Sequence, residues 1–345
     1  MSTTDTDFAI VIGISRYPML RKDLEGPVED AEQFHDWLLM VAQLPESHIK
    51  LVTSQEPPDP GTHPIGEDID DAFRAVFAAA RDLQSRSQYP RRLYLYFAGH
   101  GCTQEINQVM VLMADASLEE LNRSLDMKSY HEGLARRALF PEQVIFYDCC
   151  RNWDHRVQGR IAPWSNNPPT PGAAAVTQFI LYAAGFTEYA NERALEYSTR
   201  RGLFTKALME GLNGRAVKKV GEEWIVSMEK LVPYVLERLD QLTKEFGVRQ
   251  QLSWNPAGRP ITHLALAKVA TPGLFPLCVT TQFPGTAIIV RDDHLQEFQR
   301  KTLFEHQASF DLPPSQYAVQ VEPGGHGRLV EVGPGKPSTI TLEGD

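Results

Sequence analysis

The sequence predicts an α/β fold, a mostly parallel sheet flanked by helices, followed by a small all-β module. Three observations predict it. Short apolar runs alternate with segments of helical spacing across the first 270 or so residues, the pattern of strands and covering helices. Several of those runs show no polar alternation, as expected of strands buried on both faces. From about residue 273 the helical spacing stops, and alternating runs follow one another between Gly and Pro turns. A chain of 345 residues suits two domains. The expected spans are 1–270 and 273–345.

The elements follow in order. Phe8–Ser15 is a continuous apolar run that ends at a turn, the pattern of a buried strand. Glu29–Leu44 places Ala31, Phe34, Trp37 and Leu38 on one helical side. His48–Thr53 is a short strand, and a proline cluster from Pro57 to Pro64 then breaks regular structure. Glu67–Leu83 carries Ile69, Phe73, Val76, Phe77 and Ala80 on one stripe, predicting a second helix. Leu93–Phe97 is a strand that stops at AGHG, and Gln143–Tyr147 is one that stops at DCC. Gln108–Met113 reads as an accessory strand, Met127–Ala138 as a helix and Gln178–Ala183 as a further strand. Leu203–Gly211 and Ser227–Phe246 read as helices, the second despite Pro233. In the C-terminal module the expected strands are Leu277–Thr281, Ala287–Val290, Tyr317–Val321, Arg328–Val332 and Ser338–Leu342. Segments such as QFPGTAIIV there resemble PEGA-type and Ig-like β modules.

Composition excludes several classes. Apolar residues make up 42% and charged residues 23%, ordinary values for a globular chain. The net charge of −10 lacks the basic footprint of a nucleic-acid binder and suits a basic partner. Neither long uncharged stretch, Ile161–Thr187 or Ala270–Val290, reads as a membrane span, because prolines interrupt both. Four cysteines do not form a disulfide framework, and the N-terminus lacks a signal-peptide pattern, so a reducing cytoplasm is expected. The GxSxG, HExxH and P-loop patterns are missing, which leaves serine hydrolase, zincin and NTPase readings without support.

His100 and Cys150 carry the chemistry. Each lies just past the end of a predicted buried strand, where open α/β sheets gather functional groups. Their spacing of 50 is compatible with two neighbouring strands converging on one rim. A thiol becomes a good nucleophile only as thiolate, and a nearby imidazole promotes that. Cys149 is the rival nucleophile. Successive residues of extended chain point to opposite sides, so only one of the pair readily faces His100. Cys102 reads as a loop thiol, Cys278 as packing in the β module, and His155 as a residue of a polar loop.

LYLYFAGHG resembles the histidine motif of the caspase and metacaspase family, and VIFYDCCRN resembles its cysteine motif. FAIVIGISRYPMLRKDLEGPVEDAEQFHDWL is similar to the family's opening strand, loop and helix. QFILYAAGFTEYANE and GLFTKALMEGL are similar to the strand and helix after the cysteine. The four landmarks stand in the family's order over about 1–265. The resemblance implies a caspase-like cysteine endopeptidase. In it His100 is base and then acid, Cys150 is the nucleophile, and the N–H groups of Gly101 and Cys150 donate to the oxyanion. Cys149 fills the small-residue slot between acid and nucleophile. The alternative is an inactive scaffold that binds a partner.

The resemblance also places Asp30, in GPVEDA, and Asp148, in DCC, in the pocket for the residue before the cut. Two carboxylates there favour Arg or Lys. It places the processing loop of caspases at 151–172, where Pro163, Pro168, Pro169, Pro171 and Gly172 disfavour regular structure. That loop is expected to be mobile, with Arg156 and Arg160 as candidate cut sites. Metacaspases often need calcium, but the acidic run Glu67, Asp68, Asp70 and Asp71 opens a helix and reads as a solvated first turn. No metal ligand set and no cofactor are expected. The expected partners are protein or peptide substrates, including an effector such as a gasdermin-like pore former in bacterial cell death or antiphage defence.

Overall fold

The protein is represented by a computed structural model that describes residues 3–54, 62–120, 122–154, 156–185, 189–190, 192–194, 200–257, 264–282, 287–292, 295–323, 327–333, 336 and 338–342. The chain groups into two compact units. One holds residues 1–209 and 238–261, the other 210–237 and 262–345. Each is discontinuous in sequence, so the division differs from the linear cut expected near 270.

The first unit opens with β1 (Asp7–Gly13), α1 (Pro27–Met40), β2 (Ile49–Thr53), α2 (Gly66–Ser85) and β3 (Arg92–Ala98). Three short strands follow, β4 (Gly101–Thr103), β5 (Met110–Leu112) and β6 (Ser124–Asp126), then α3 (Met127–Arg137). Next come β7 (Glu142–Asp148), β8 (Asn152–Trp153), β9 (Thr177–Tyr182), the pair β10 (Glu192–Ala194) and β11 (Arg200–Gly202), and α4 (Leu203–Glu210). After β12 (Val217–Val220), β13 (Glu223–Ser227) and α5 (Met228–Glu245), β14 (Ser253–Ala257) completes the main sheet. Its order is β14-β9-β7-β3-β1-β2, parallel throughout except for antiparallel β14.

β1, β3 and β7 are buried almost end to end, which is why they carry no polar alternation. Side chains still alternate between the two faces. Phe8, Ile10 and Ile12 join Leu93, Leu95 and Phe97 in the core under α2 and α3. On the opposite face, Phe34 of α1 stacks on Tyr96 and Trp37 meets Tyr94 edge-on. Each such side chain contributes about 1.5–3 kcal/mol on burial. This two-sided packing fixes the sheet register and, through it, the rim.

The strap after the DCC motif, where the prolines suggest a mobile loop, is anchored by side chains at Trp164 and Thr170. Trp164 is buried and packs against Phe73, Phe77 and Tyr130, with the guanidinium of Arg137 over its ring. The Thr170 N–H donates to the Arg136 carbonyl at 2.8 Å, and its hydroxyl donates to the Arg137 carbonyl at 2.9 Å. Proline removes regular hydrogen bonding, but one buried indole and these bonds still hold the segment.

The second unit contains the sheet β12-β13-β15, with β15 at Ala265–Val269. It also contains β16 (Phe275–Thr281), β17 (Ala287–Arg291), β18 (Glu297–Thr302), β19 (Gln307–Leu312), β20 (Ser315–Glu322), β21 (Gly327–Val332) and β22 (Thr339–Leu342). They form two sheets, β19-β16-β22 and β18-β17-β20-β21, around one apolar core that includes Leu277, Ile288, Phe310, Val319 and Ile340. Sequence patterning missed β18, whose EFQRKT residues are largely exposed with no apolar alternation, and also β19, although its residues alternate between exposed and buried.

Candidate active site

β3 and β7 pair in parallel from Arg92 with Glu142 to Ala98 with Asp148, a constant offset of 50. Past the rim, β4 and β8 pair in parallel with the same offset, Cys102 with Asn152 and Thr103 with Trp153. His100 and Cys150 share that offset and lie between the two ladders. The spacing of 50 in the sequence is therefore the sheet register itself, and it sets the two residues at one level on adjacent segments. Gly99 N still donates to Asp148 O at 3.2 Å, so the two segments stay close past the end of the main sheet.

Gly101 is required by this closeness. A Cβ on it would lie 2.7 Å from Cys149 Sγ and 2.8 Å from the Cys150 carbonyl oxygen. Any side chain would push the cysteine segment away.

His100 is held at backbone and ring. Its N–H donates to Tyr17 Oη at 2.8 Å, and its carbonyl accepts from Leu112 N at 3.0 Å. The ring lies 4.6 Å from the Tyr17 ring, centroid to centroid. Nε2 lies 2.6 Å from the Lys22 carbonyl oxygen. A carbonyl only accepts, so Nε2 carries the proton and Nδ1 of the neutral ring is left as the basic nitrogen. Burial pushes the imidazole pKa below its ordinary value, which keeps the ring neutral at neutral pH. Tyr17 and the Lys22 carbonyl were not legible in the sequence. Both lie in the irregular loop after β1, about 80 positions from His100.

The thiols divide clearly. Cys150 is half-buried, with Sγ 3.7 Å from the Ala190 carbonyl oxygen. Cys149 is buried, and burial drives its thiol pKa well above the usual range. Burial likewise pushes Cys102 up to about 12. Cys278 lies in the second unit, on β16, half-buried. Arg151 follows Cys150 with its side chain fully buried, bonded to the Ile106 and Gln108 carbonyls and lying 4.2 Å over the Tyr182 ring. His155 lies outside the described residues.

The structure brings Asp30 and Asp148 together. Both are buried, and both border Gly202. Asp148 Oδ2 accepts from Thr205 N at 3.1 Å and from Thr205 Oγ1 at 2.7 Å. Asp30 Oδ2 accepts from Gly202 N at 3.0 Å, and its Oδ1 accepts from Arg201 Nε at 2.5 Å. Burial raises the Asp30 pKa to about 6, against the pull of Arg201. The sequence reading missed Arg201 and Thr205, because contacts across about 170 and 57 positions leave no local signature.

Residues 6–254 match the family model Peptidase_C14, Caspase domain. The chain belongs to the caspase-domain family. It therefore carries a cysteine-type peptidase domain. It is also 28% identical to a probable protease of a Desulfuromonadales bacterium, over 91% of this chain but 41% of that protein. The chain thus spans less than half the length of that relative. Among solved structures it is similar to the Drosophila initiator caspase Dronc, at 12% identity and a TM-score of 0.46, covering 76% of this chain and 83% of that one. It is similar as well to caspase-1 from Spodoptera frugiperda, at 14% identity and a TM-score of 0.48, covering 78% and 92%.

In this caspase domain the two candidate processing arginines differ. Arg160 is built into the structure, since Nη1 lies 2.7 Å from Asp70 Oδ2 and its backbone bonds Ser124 and Asp126 on β6. Arg156 is exposed and, among the described residues, pairs with its sequence neighbour Asp154. The acidic run on α2 spreads around the helix. Asp68 accepts from Ile65 N and bonds His63, Asp70 bonds Tyr130 Oη and Arg160, and Asp71 pairs with Arg74. No helix among the described residues is long and apolar enough to cross a membrane.

Proposed function

We propose that the chain is a cysteine endopeptidase in which His100 and Cys150 form the catalytic dyad. The shared offset of 50 in β3–β7 and β4–β8 carries this reading, because it supports placing the two residues at one level on adjacent segments. His100 Nδ1 takes the Cys150 thiol proton. The thiolate attacks the scissile carbonyl, and the N–H groups of Gly101 and Cys150 receive the developing oxyanion. His100 returns the proton to the leaving amine, which leaves a thioester on Cys150. Water, deprotonated by the same imidazole, hydrolyses it.

Asp30 and Asp148 form the pocket for the residue before the cut, with Arg or Lys preferred. Two buried carboxylates lie together at that corner, with Arg201 paired to Asp30, which supports the preference. Processing, where it occurs, falls after exposed Arg156 and not after Arg160. The natural substrate is a protein, with a gasdermin-like pore former in bacterial defence as the working candidate.

The test is a mixed peptide library with the wild type, Cys150→Ala and His100→Ala. Both variants should fold and lose cleavage, and wild-type cuts should fall after Arg or Lys. Cleavage at the normal rate by folded Cys150→Ala ends the dyad assignment. A profile dominated by Asp or apolar residues ends the basic preference while leaving the dyad intact.

A further inference from the structure

We infer that Arg201 is a specificity-determining residue, a tethered guanidinium that competes with the substrate's basic side chain for Asp30. The inference rests on the reading of Asp30 and Asp148 as the substrate pocket. Arg201 precedes Gly202, and Gly202 is wedged so tightly between the two carboxylates that a Cβ there would run into both. β11 pairs with β10, Arg201 opposite Arg193, so the backbone at 201 is set by a ladder on one side and by the acids on the other. From that position Nε reaches Asp30 Oδ1 at 2.5 Å, Nη1 reaches Glu29 Oε1 at 2.6 Å and Nη2 reaches Gln33 Oε1 at 2.9 Å. The Arg201 side chain is only 12% exposed, so the pairing is largely shielded from water.

Both oxygens of Asp30 are thus engaged by the chain's own donors, Arg201 and Gly202. An incoming guanidinium meets a like charge already seated on one of the two acids. It must share Asp30 at close range, which like charges in a dry site resist, or displace Arg201. Displacement has a route. Glu29 is half exposed and Gln33 is exposed, so the outer end of the guanidinium borders solvent. Rotation about the side-chain torsions carries it out without moving β11. Arg201 therefore lowers affinity for basic substrates. It also makes recognition depend on Asp148, whose Thr205 bonds come from α4 and do not involve Arg201.

The test compares wild type, Arg201→Gln and Arg201→Lys on one peptide series differing only before the cut, Arg against Gln. Assayed well above neutral pH, where Asp30 stays ionised without Arg201 beside it, Arg201→Gln should lower KM for the Arg peptide about tenfold, with kcat within about twofold, since one charge-assisted pairing is removed. KM for the Gln peptide should stay unchanged. Arg201→Lys, which keeps the charge, should restore a KM near the wild type. If Arg201→Gln does not fold, Glu29→Gln with Gln33→Ala loosens the outer anchor alone and should move KM the same way by a smaller factor. A folded Arg201→Gln with unchanged or raised KM on the Arg peptide overturns the inference, provided wild type prefers Arg. A wild type indifferent between the two peptides overturns the pocket reading, and this inference with it.

Discussion

Gly101→Ala tests the closeness of the two rim motifs. The added Cβ lies 2.7 Å from Cys149 Sγ, 2.8 Å from Cys150 O and 3.0 Å from Cys149 Cβ. Non-bonded heavy atoms rest about 3.5–4.0 Å apart, so the segments must separate by roughly 0.5–1 Å. Cys149 Sγ ends a short side chain that is buried, and the Cys150 oxygen is backbone, so neither yields easily. The cysteine segment is also held on both sides, by β7 before it and β8 after it. Overpacking of this kind costs about 1–3 kcal/mol. For a folding unit of this size that lowers Tm by roughly 2–4 °C per kcal/mol. A typical domain holds about 5–15 kcal/mol, so the variant stays folded. The catalytic loss is larger in effect, because a displacement near 1 Å costs about 100-fold. We expect kcat/KM on an Arg peptide to fall about 100-fold while Tm falls by several degrees. Calorimetry and a fluorogenic peptide assay measure both. A folded Gly101→Ala with wild-type Tm and kcat/KM within twofold would refute the argument from this close approach.

Two further expectations follow from burial. Iodoacetamide at neutral pH should label half-buried Cys150 and spare native Cys149 and Cys102, whose thiols burial holds protonated. Cys149→Ala should accordingly keep most of its activity, and loss of cleavage in that folded variant while Cys150→Ala still cleaves would reverse the two roles. His131 is buried, with Nε2 2.5 Å from Tyr147 Oη, and desolvation lowers its pKa to about 3. Its unfolded value is about 6.5. The stability it contributes is complete above pH ~6.5 and is lost as pH falls from there towards 3, at ~1.4 kcal/mol per pH unit. Asp30, raised to about 6, acts with opposite sign between about pH 4 and 6, so the wild-type curve mixes both. The difference between wild type and His131→Gln isolates the histidine. Thermal melts should show the wild type losing more than the variant between pH 6.5 and 5, and parallel curves would contradict the assignment.

The main strands and helices were legible because their burial is uniform along the chain. β1, β3 and β7 read as unbroken apolar runs since helices cover both faces, and α1 and α2 read by their stripes. β10, β11 and β18 were not legible, being short or largely solvated, and β12 to β15 and β19 went unread as well, β19 despite its alternating burial. The strap at 162–176 misled for a related reason. Proline content reports missing backbone hydrogen bonds, and it is silent about the buried Trp164 that anchors the segment.

The sequence by itself determined the α/β order, the two rim motifs and the offset of 50 between His100 and Cys150. That offset is local information repeated twice, since each motif carries its own buried strand and the strands pair in register. Only the tertiary structure decided what surrounds them. It set the Lys22 carbonyl and Tyr17 on His100 and joined residues 210–237 to the β-rich C-terminus. It also seated Arg201 on Asp30 across 171 positions. Such pairings depend on how loops close and how helices pack on the sheet. Side-chain periodicity records whether a residue faces water or the core, and it holds no record of which distant residue lies opposite.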